Sequence, residues 1–170
     1  MKSLKSQNRD DGKMEWSKLT FGKHYGKTLP QVMFIDPDWF FHLHNEGAFI
    51  NRGVIEDEAE TIYRRATSIQ IPISDVDEYC HIVYFQHPST GKFNSMLLVR
   101  GIRSSRNGTS EAISDVIDLS YPTRCSIYDK RGCKLMIRRV KSILFGAENY
   151  TMSKARCEDF FNDKSAFRDF

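Results

Sequence analysis

The sequence predicts an α+β fold: an N-terminal hairpin-plus-helices unit, a central antiparallel sheet and a C-terminal helical pair. Three observations predict it. Apolar residues recur at helical spacing in three separate segments, around 37–46, 55–66 and 132–145. Between them, two alternating runs, "YCHIVYFQ" and "KFNSMLLVRGI", flank the turn-forming "HPSTG". Hydrophobic residues make up 40% of the 170 residues and charged residues 28%, the balance of a globular chain with a real core.

The elements follow in order. Residues 1–15, with "MKSLKSQNRDDGK", have no apolar h-region and read as a flexible polar arm rather than a secretory signal. The first folded unit is predicted over 16–68. Ser17–Phe21 alternates like a short strand, and "GKHYGK" turns the chain, with Gly22 and Gly26 open to backbone angles closed to other residues. Thr28-x-x-Gln31 matches a capping box and starts a helix to about Phe34. Asp36-Pro37 restarts it, Asp36 as N-cap and Pro37 at the first helical position, and Gly47 ends it. Trp39, Phe40 and Leu43 form its apolar stripe, placed to pack on Leu19, Phe21 and Val32. Ile55, Ala59, Ile62, Tyr63 and Ala66 mark a third helix, with Glu56, Asp57, Glu58 and Glu60 near its start where the dipole favours them.

The second part, 69–170, holds the sheet and the helical pair. "AISDVIDLS" supplies a third strand after the hairpin. "GCKLMIRRVKSILFG" is amphipathic: Met136, Ile137, Val140, Ile143 and Leu144 on one face, Lys134, Arg138 and Lys141 on the other, with Arg131 just upstream. Gly146 stops it, and Ser153 caps a last helix to about Asn162 with Cys157, Phe160 and Phe161 inward. Helix, short turn, helix is compatible with a helix-turn-helix, in which Thr151, Ser153, Lys154 and Arg156 would face bases.

Charge is segregated. Residues 1–30 carry seven basic and three acidic groups, 31–62 one and seven, and 123–141 seven and one. Such blocks create local fields that the net +3 conceals, and two basic blocks point to a nucleic-acid partner. No apolar run approaches the ~20 residues that span a bilayer, so no membrane association is expected. Cys80, Cys125, Cys133 and Cys157 form no C-x-x-C pair and read as free thiols of a cytoplasmic protein. No cofactor and no metal site is expected: His42 and His44 diverge on a helix, and no cysteine or histidine pair has zinc spacing. Asp75, Asp77, Glu78, Asp115 and Asp118 are available as carboxylates, but no Glu-x-Lys follows them on a strand.

Phe21-Gly22-Lys23, Gly26-Lys27-Thr28-Leu29 and Asp36-Pro37-x-Trp39 resemble the small "FGKYKGK…DPxYLxWL" module at the C-terminal end of exodeoxyribonuclease X-like proteins, also met in small bacterial and phage proteins. The likeness covers about 27 residues. It departs from the family at the tryptophan, which stands where the family has its first aromatic. The resemblance implies DNA association, as an accessory unit, and does not imply hydrolysis.

The candidate DNA-binding residues are therefore Lys23, His24 and Lys27 in the Gly-rich connection, Arg100, Arg103 and Arg106 around "RGIRSSRNGTSE", Arg131, Lys134, Arg138 and Lys141 on the amphipathic helix, and Lys154 and Arg156 on the last one. Lys23, His24 and Lys27 are expected to point out toward phosphate. The expected function is non-catalytic binding of double-stranded DNA by a phage or mobile-element transcriptional regulator, a repressor derived from a homing-endonuclease-like domain, in a bacterial or phage-infected cell. A homodimer is open. Two alternatives stand beside it: a metal-dependent nuclease or nuclease accessory subunit, and a protein-binding inhibitor acting through the acidic 36–60 block.

Overall fold

The structure is a computed structural model that describes residues 12–73, 79–101 and 111–168. Along the chain run α1 (Leu29–Ile35), α2 (Pro37–Asn45), α3 (Val54–Ala66), β1 (Ile69–Gln70), β2 (Cys80–Gln86), β3 (Phe93–Arg100), β4 (Glu111–Ser114), β5 (Val116–Ile117), α4 (Tyr121–Cys125), α5 (Lys130–Phe145) and α6 (Lys154–Asn162). A 3-10 turn, Lys164–Ala166, follows. The mixed α+β class is that of the sequence. Among the described residues no helix is long and apolar enough to cross a membrane.

The sheet is antiparallel in the order β3-β2-β4. Val83 lies opposite Leu97 on one side and Ile113 on the other. The predicted third strand is split at Asp115: β4 pairs with β2, while β5 pairs with β1, two residues that sequence reasoning did not assign. Arg103, Arg106, Asp75, Asp77 and Glu78 lie outside the described residues.

Two helices of the N-terminal unit start as their caps dictate. The Thr28 N–H donates to Gln31 Oε1 at 3.0 Å, the backbone half of the capping box. The Trp39 N–H donates to Asp36 Oδ1 at 3.4 Å, across the turn that Pro37 opens. The predicted hairpin is corrected: no strand forms at 17–21. Instead the Leu19 N–H donates to the Lys27 carbonyl and the Gly26 N–H to the Leu19 carbonyl, both at 2.8 Å. Thr28 already caps α1 one residue later, so no length remains for a returning strand.

The core runs without a break from Trp16 to Phe167. α2 buries Phe40 and Phe41 completely and leaves Trp39 and Leu43 half-buried, so its apolar face is rotated from the predicted stripe. α2 is packed from both sides, by α1 and by α4 and α5. α5 lies along β3, whereas α6 lies on α1, where Phe34 meets the Phe160 and Phe161 rings at 5.7 and 6.0 Å. The two C-terminal helices thus rest on different partners and touch at Phe145 and Phe160. The end of the polar arm is strapped to α6: Met14 and the Asn162 amide exchange two hydrogen bonds at 3.1 and 3.0 Å.

Trp39 covers Gly22. A methyl group there would sit 2.7 Å from Trp39 Cζ2, and Gly22 holds φ +70°. Gly26 holds φ +80° with open space around its Cα. Gly26→Ala is therefore expected to cost about 1–2 kcal/mol, the left-handed backbone term alone. Gly22→Ala should cost clearly more, because the indole must also move. Equal losses of unfolding free energy in a denaturant titration would show that Trp39 is not seated on the turn.

Candidate nucleic-acid interface

The motif residues that carry the resemblance converge on one carboxylate. Asp36 caps α2 through Oδ1, and its Oδ2 pairs with Lys23 Nζ and lies 3.1 Å from His24 Nε2. The His24 ring stands edge-on to Trp39 at 4.9 Å, and Phe21 is 6.4 Å from the same indole. His24 is buried, which corrects the expectation that it points outward. Lys23 keeps an exposed stem, yet its ammonium is held by Asp36. Lys27 is half-buried, and its carbonyl closes the loop. The physical reason is local. The short loop between Phe21 and Lys27 brings its side chains over the Asp36-Pro37 corner, where an N-capping carboxylate has one oxygen left to accept.

Burial alone would push the Asp36 carboxyl up. Hydrogen bonds from Lys23 and His24, and the Lys23 charge, outweigh that and hold it below the usual carboxylate range. The same pair raises Lys23. The next acid behaves oppositely: burial lifts Asp38, which is 2% exposed. Its Oδ1 accepts the Asp129 N–H at 3.4 Å, tying α2 to the start of α5.

Asp129 in turn caps α5, its Oδ1 accepting the Gly132 N–H at 2.8 Å. A Cβ at Gly132 would lie 2.3 Å from Asp129 Oδ2, so the cap requires glycine there. With its first turn capped and anchored, α5 presents Arg131, Lys134 and Arg138 exposed and Lys141 half-buried. The buried face is Cys133, Met136, Ile137 and Val140. At 1.5 Å per residue the cationic stripe from 131 to 141 extends about 15 Å. Among the described residues, Arg131, Lys134 and Arg138 make no salt bridge, whereas Arg139 on the flank pairs with Glu148 at 3.1 Å.

The remaining predicted cations are distributed elsewhere. Arg100 ends β3, exposed. Lys154 lies 3.7 Å from Glu158 one turn on. Arg156 donates to the Thr151 carbonyl at 2.8 Å and stacks over Tyr150 at 4.8 Å, so it is tied into the turn before α6 rather than projected from it. The structure brings together Arg131, Lys134, Arg138 and Lys141 and does not join them to the pair on α6. Lys130, exposed beside them, was not among the predicted residues, although its position at the start of the helix made it legible.

The acidic block is largely built into the fold. Glu58 accepts the Ser17 N–H on both oxygens at 2.9 and 3.2 Å, Glu56 accepts the Asn51 N–H at 2.9 Å, and Glu60 lies 3.0 Å from His44. With Asp36 and Asp38 these carboxylates leave Glu46 and Asp57 as outward charges without such a role. Asp118 takes the Ser120 N–H and hydroxyl at 2.8 and 2.6 Å and pairs with Arg124 at 2.8 Å. Among the described residues, no three His, Cys, Asp or Glu side chains are grouped to hold a metal. Burial lifts the Cys133 and Cys157 thiols to about 12 and about 11, values of inert packing cysteines.

No family model, no curated protein and no solved structure matches this chain.

Asp36→Asn keeps an N-capping side chain and removes the charge, so it isolates the ion pair. The folded carboxyl binds its proton less readily than the unfolded one, so its stabilisation is present above the unfolded value and is lost as pH falls through the lower folded value. At pH 7 the variant should be less stable by about 1–3 kcal/mol, the range for charge-assisted hydrogen bonds. The gap to the native chain should close as pH falls below about 4, the ordinary aspartate value. A gap that persists undiminished at pH of about 2–3, well below that value, would mean that the Asp36 charge is not what holds Lys23 and His24.

Proposed function

We propose that the chain binds double-stranded DNA through the outward face of α5, without acting on it chemically. The observation that carries this reading is the stripe of Arg131, Lys134 and Arg138, exposed, aligned and unpaired among the described residues, on a helix anchored at its first turn. Cations on one rigid face can neutralise successive phosphates without reordering the protein. The reading as a binder is supported by the carboxylates of 36–60, most of which are engaged in capping, ion pairs and backbone contacts. The resemblance to the exodeoxyribonuclease X-associated module favours DNA as the polyanion. A cytoplasmic repressor of a phage or mobile element, derived from a homing-endonuclease-like domain, is the concrete role that goes with it.

The motif itself takes a supporting part in this proposal. Lys23 and His24 stabilise the corner that positions α5, and charge reversal at Lys23 would set a carboxylate against Asp36. Weaker binding in such a variant would report folding rather than a direct touch on DNA.

The test is salt. Each neutralised phosphate contributes roughly 0.9 to the fall of log affinity with log salt. Arg131→Ala, Lys134→Ala and Arg138→Ala together should lower that slope by roughly 0.9 for each phosphate no longer neutralised, on every duplex alike. The melting temperature should not change, because all three side chains lie opposite the core. Binding that is insensitive to salt in the native chain, or a slope unmoved in the triple variant, would overturn the reading.

A further inference from the structure

The β2–β3 ribbon carries its pairing past Phe85 to Gln86, which lies opposite Phe93. Its tip is closed: the His87 N–H donates to the Lys92 carbonyl and the Gly91 N–H to the His87 carbonyl, both at 2.8 Å. Gly91 takes φ +68°, which that closure requires. The base of the ribbon is fixed as well. Gln86 Nε2 donates to the Tyr121 hydroxyl at 3.3 Å, and the Phe93 ring packs edge-on against Tyr121 at 6.2 Å. The turn is therefore closed by its own hydrogen bonds, not a loop that must order on binding.

The tip and the cationic helix share a cleft. His87, Thr90, Lys92 and Asn94 line one wall, and Arg131 and Leu135 line the other. Arg131 and Leu135 also border the adjoining groove formed with Lys130, Lys134 and Arg138. The two halves of the cleft differ in chemistry. Along α5 the exposed charged groups are cations suited to phosphate, and the Asp129 carboxylate at the helix start is buried. On the ribbon, Thr90 in the turn and Asn94 at the base are neutral, exposed donor-acceptor groups. The Asn94 amide makes no hydrogen bond within the described fold. The start of α5 is not a competing phosphate seat, because the Asp129 carboxylate already occupies it.

We propose that one sugar-phosphate strand of duplex DNA lies in this cleft, its phosphates on Arg131, Lys134 and Arg138, while the ribbon lies along the adjacent major groove and Asn94 at its base, with Thr90 in its turn, reads base edges. The inference rests on the DNA-binding reading above and adds to it the element that selects sequence. A two-stranded ribbon fits the major groove, and an asparagine amide pairs bidentately with adenine N6 and N7 there. Thr90 contributes a hydroxyl to a base edge or its methyl to thymine. Lys92, at the foot of the tip, adds a cation for phosphate.

The experiment is selection of the full chain on a randomised duplex library, followed by affinity measurements on the enriched and a scrambled duplex. Enrichment of a short site containing a fixed adenine is expected. Replacing that adenine by 7-deazaadenine, which lacks N7, should weaken the native chain roughly tenfold, the scale of one bidentate base pairing. Asn94→Ala should lose the same preference, become indifferent to 7-deazaadenine, and keep the native salt slope and melting temperature. Thr90→Val, which keeps a methyl and removes the hydroxyl, separates the two interactions open to Thr90. A library that yields no preferred site, or an Asn94→Ala protein with the native preference and the native response to 7-deazaadenine, overturns the inference while leaving salt-dependent binding intact. Failure to bind any duplex at low salt overturns the DNA reading itself, so the two failures are distinguishable.

Discussion

The interaction on which the arrangement depends is the Asp36 carboxylate. One oxygen starts α2 and the other holds Lys23 and His24, so a single side chain fixes the helix, the loop that folds over it and the aromatic lid between them. Trp39 can lie on the turn only because Gly22 has no side chain, and His24 meets the indole only because Asp36 draws it inward. Two residues on, Asp38 receives the backbone N–H of Asp129, the cap of α5. The Asp-Pro corner thus connects a small loop to the helix that carries the cationic stripe. The gain is not simple pairwise attraction. Burial works against charge at both aspartates, and only Asp36, with two cationic or polar donors, comes out below its ordinary range.

The parts of the fold that were legible in the sequence are those with local causes. Thr28 and Gln31, Asp36 and Pro37, Ser153 and Gly146 act within one helical turn, and the helices begin and end where they stand. The β2–β3 hairpin was legible for the same reason, since alternation and a Pro-Ser-Thr-Gly turn suffice. β1 was not, nor was the split of the predicted third strand into β4 and β5. β1 and β5 are too short to show a period, and each exists because Ala66, Ile117 and Leu119 are packed in the core; the Leu119 N–H reaches back to the Ala66 carbonyl at 2.9 Å. The N-terminal hairpin failed on length, because the helix cap follows the turn at once.

The candidate site was legible to a lesser extent, and the reason is electrostatic. A charge block in sequence says how much charge is present and not where its partners lie. Lys23 and Lys134 look alike as lysines near glycine, but one meets a carboxylate that also caps a helix, and the other stands on the outer face of α5. Arg156 reads as a surface cation on a helix, yet Tyr150 and the Thr151 carbonyl hold it. The acidic block behaves likewise: Glu58 is 2% exposed because its two oxygens satisfy the Ser17 N–H, a partner 41 residues away. Only on α5 did periodicity and charge give the same answer, since a helix with a buried stripe must turn its remaining residues outward.

This distribution changes what a sequence motif can be taken to mean. Glycine, lysine and Asp-Pro spacing in a DNA-associated module suggests a lysine loop that touches phosphate. In this chain the same spacing satisfies itself: glycine admits the tryptophan, lysine pairs with the capping aspartate, histidine hydrogen-bonds it, and proline fixes the corner. The residues of this unit hold one another, whatever its surface does. Its contribution to binding, on the reading proposed above, is indirect. By fixing Asp38 against the Asp129 backbone it sets the direction in which α5 leaves the core. The basic stripe and the hairpin beside it then face one cleft because both elements are fixed at their bases, α5 by its cap and the ribbon by Gln86 and Phe93 on α4.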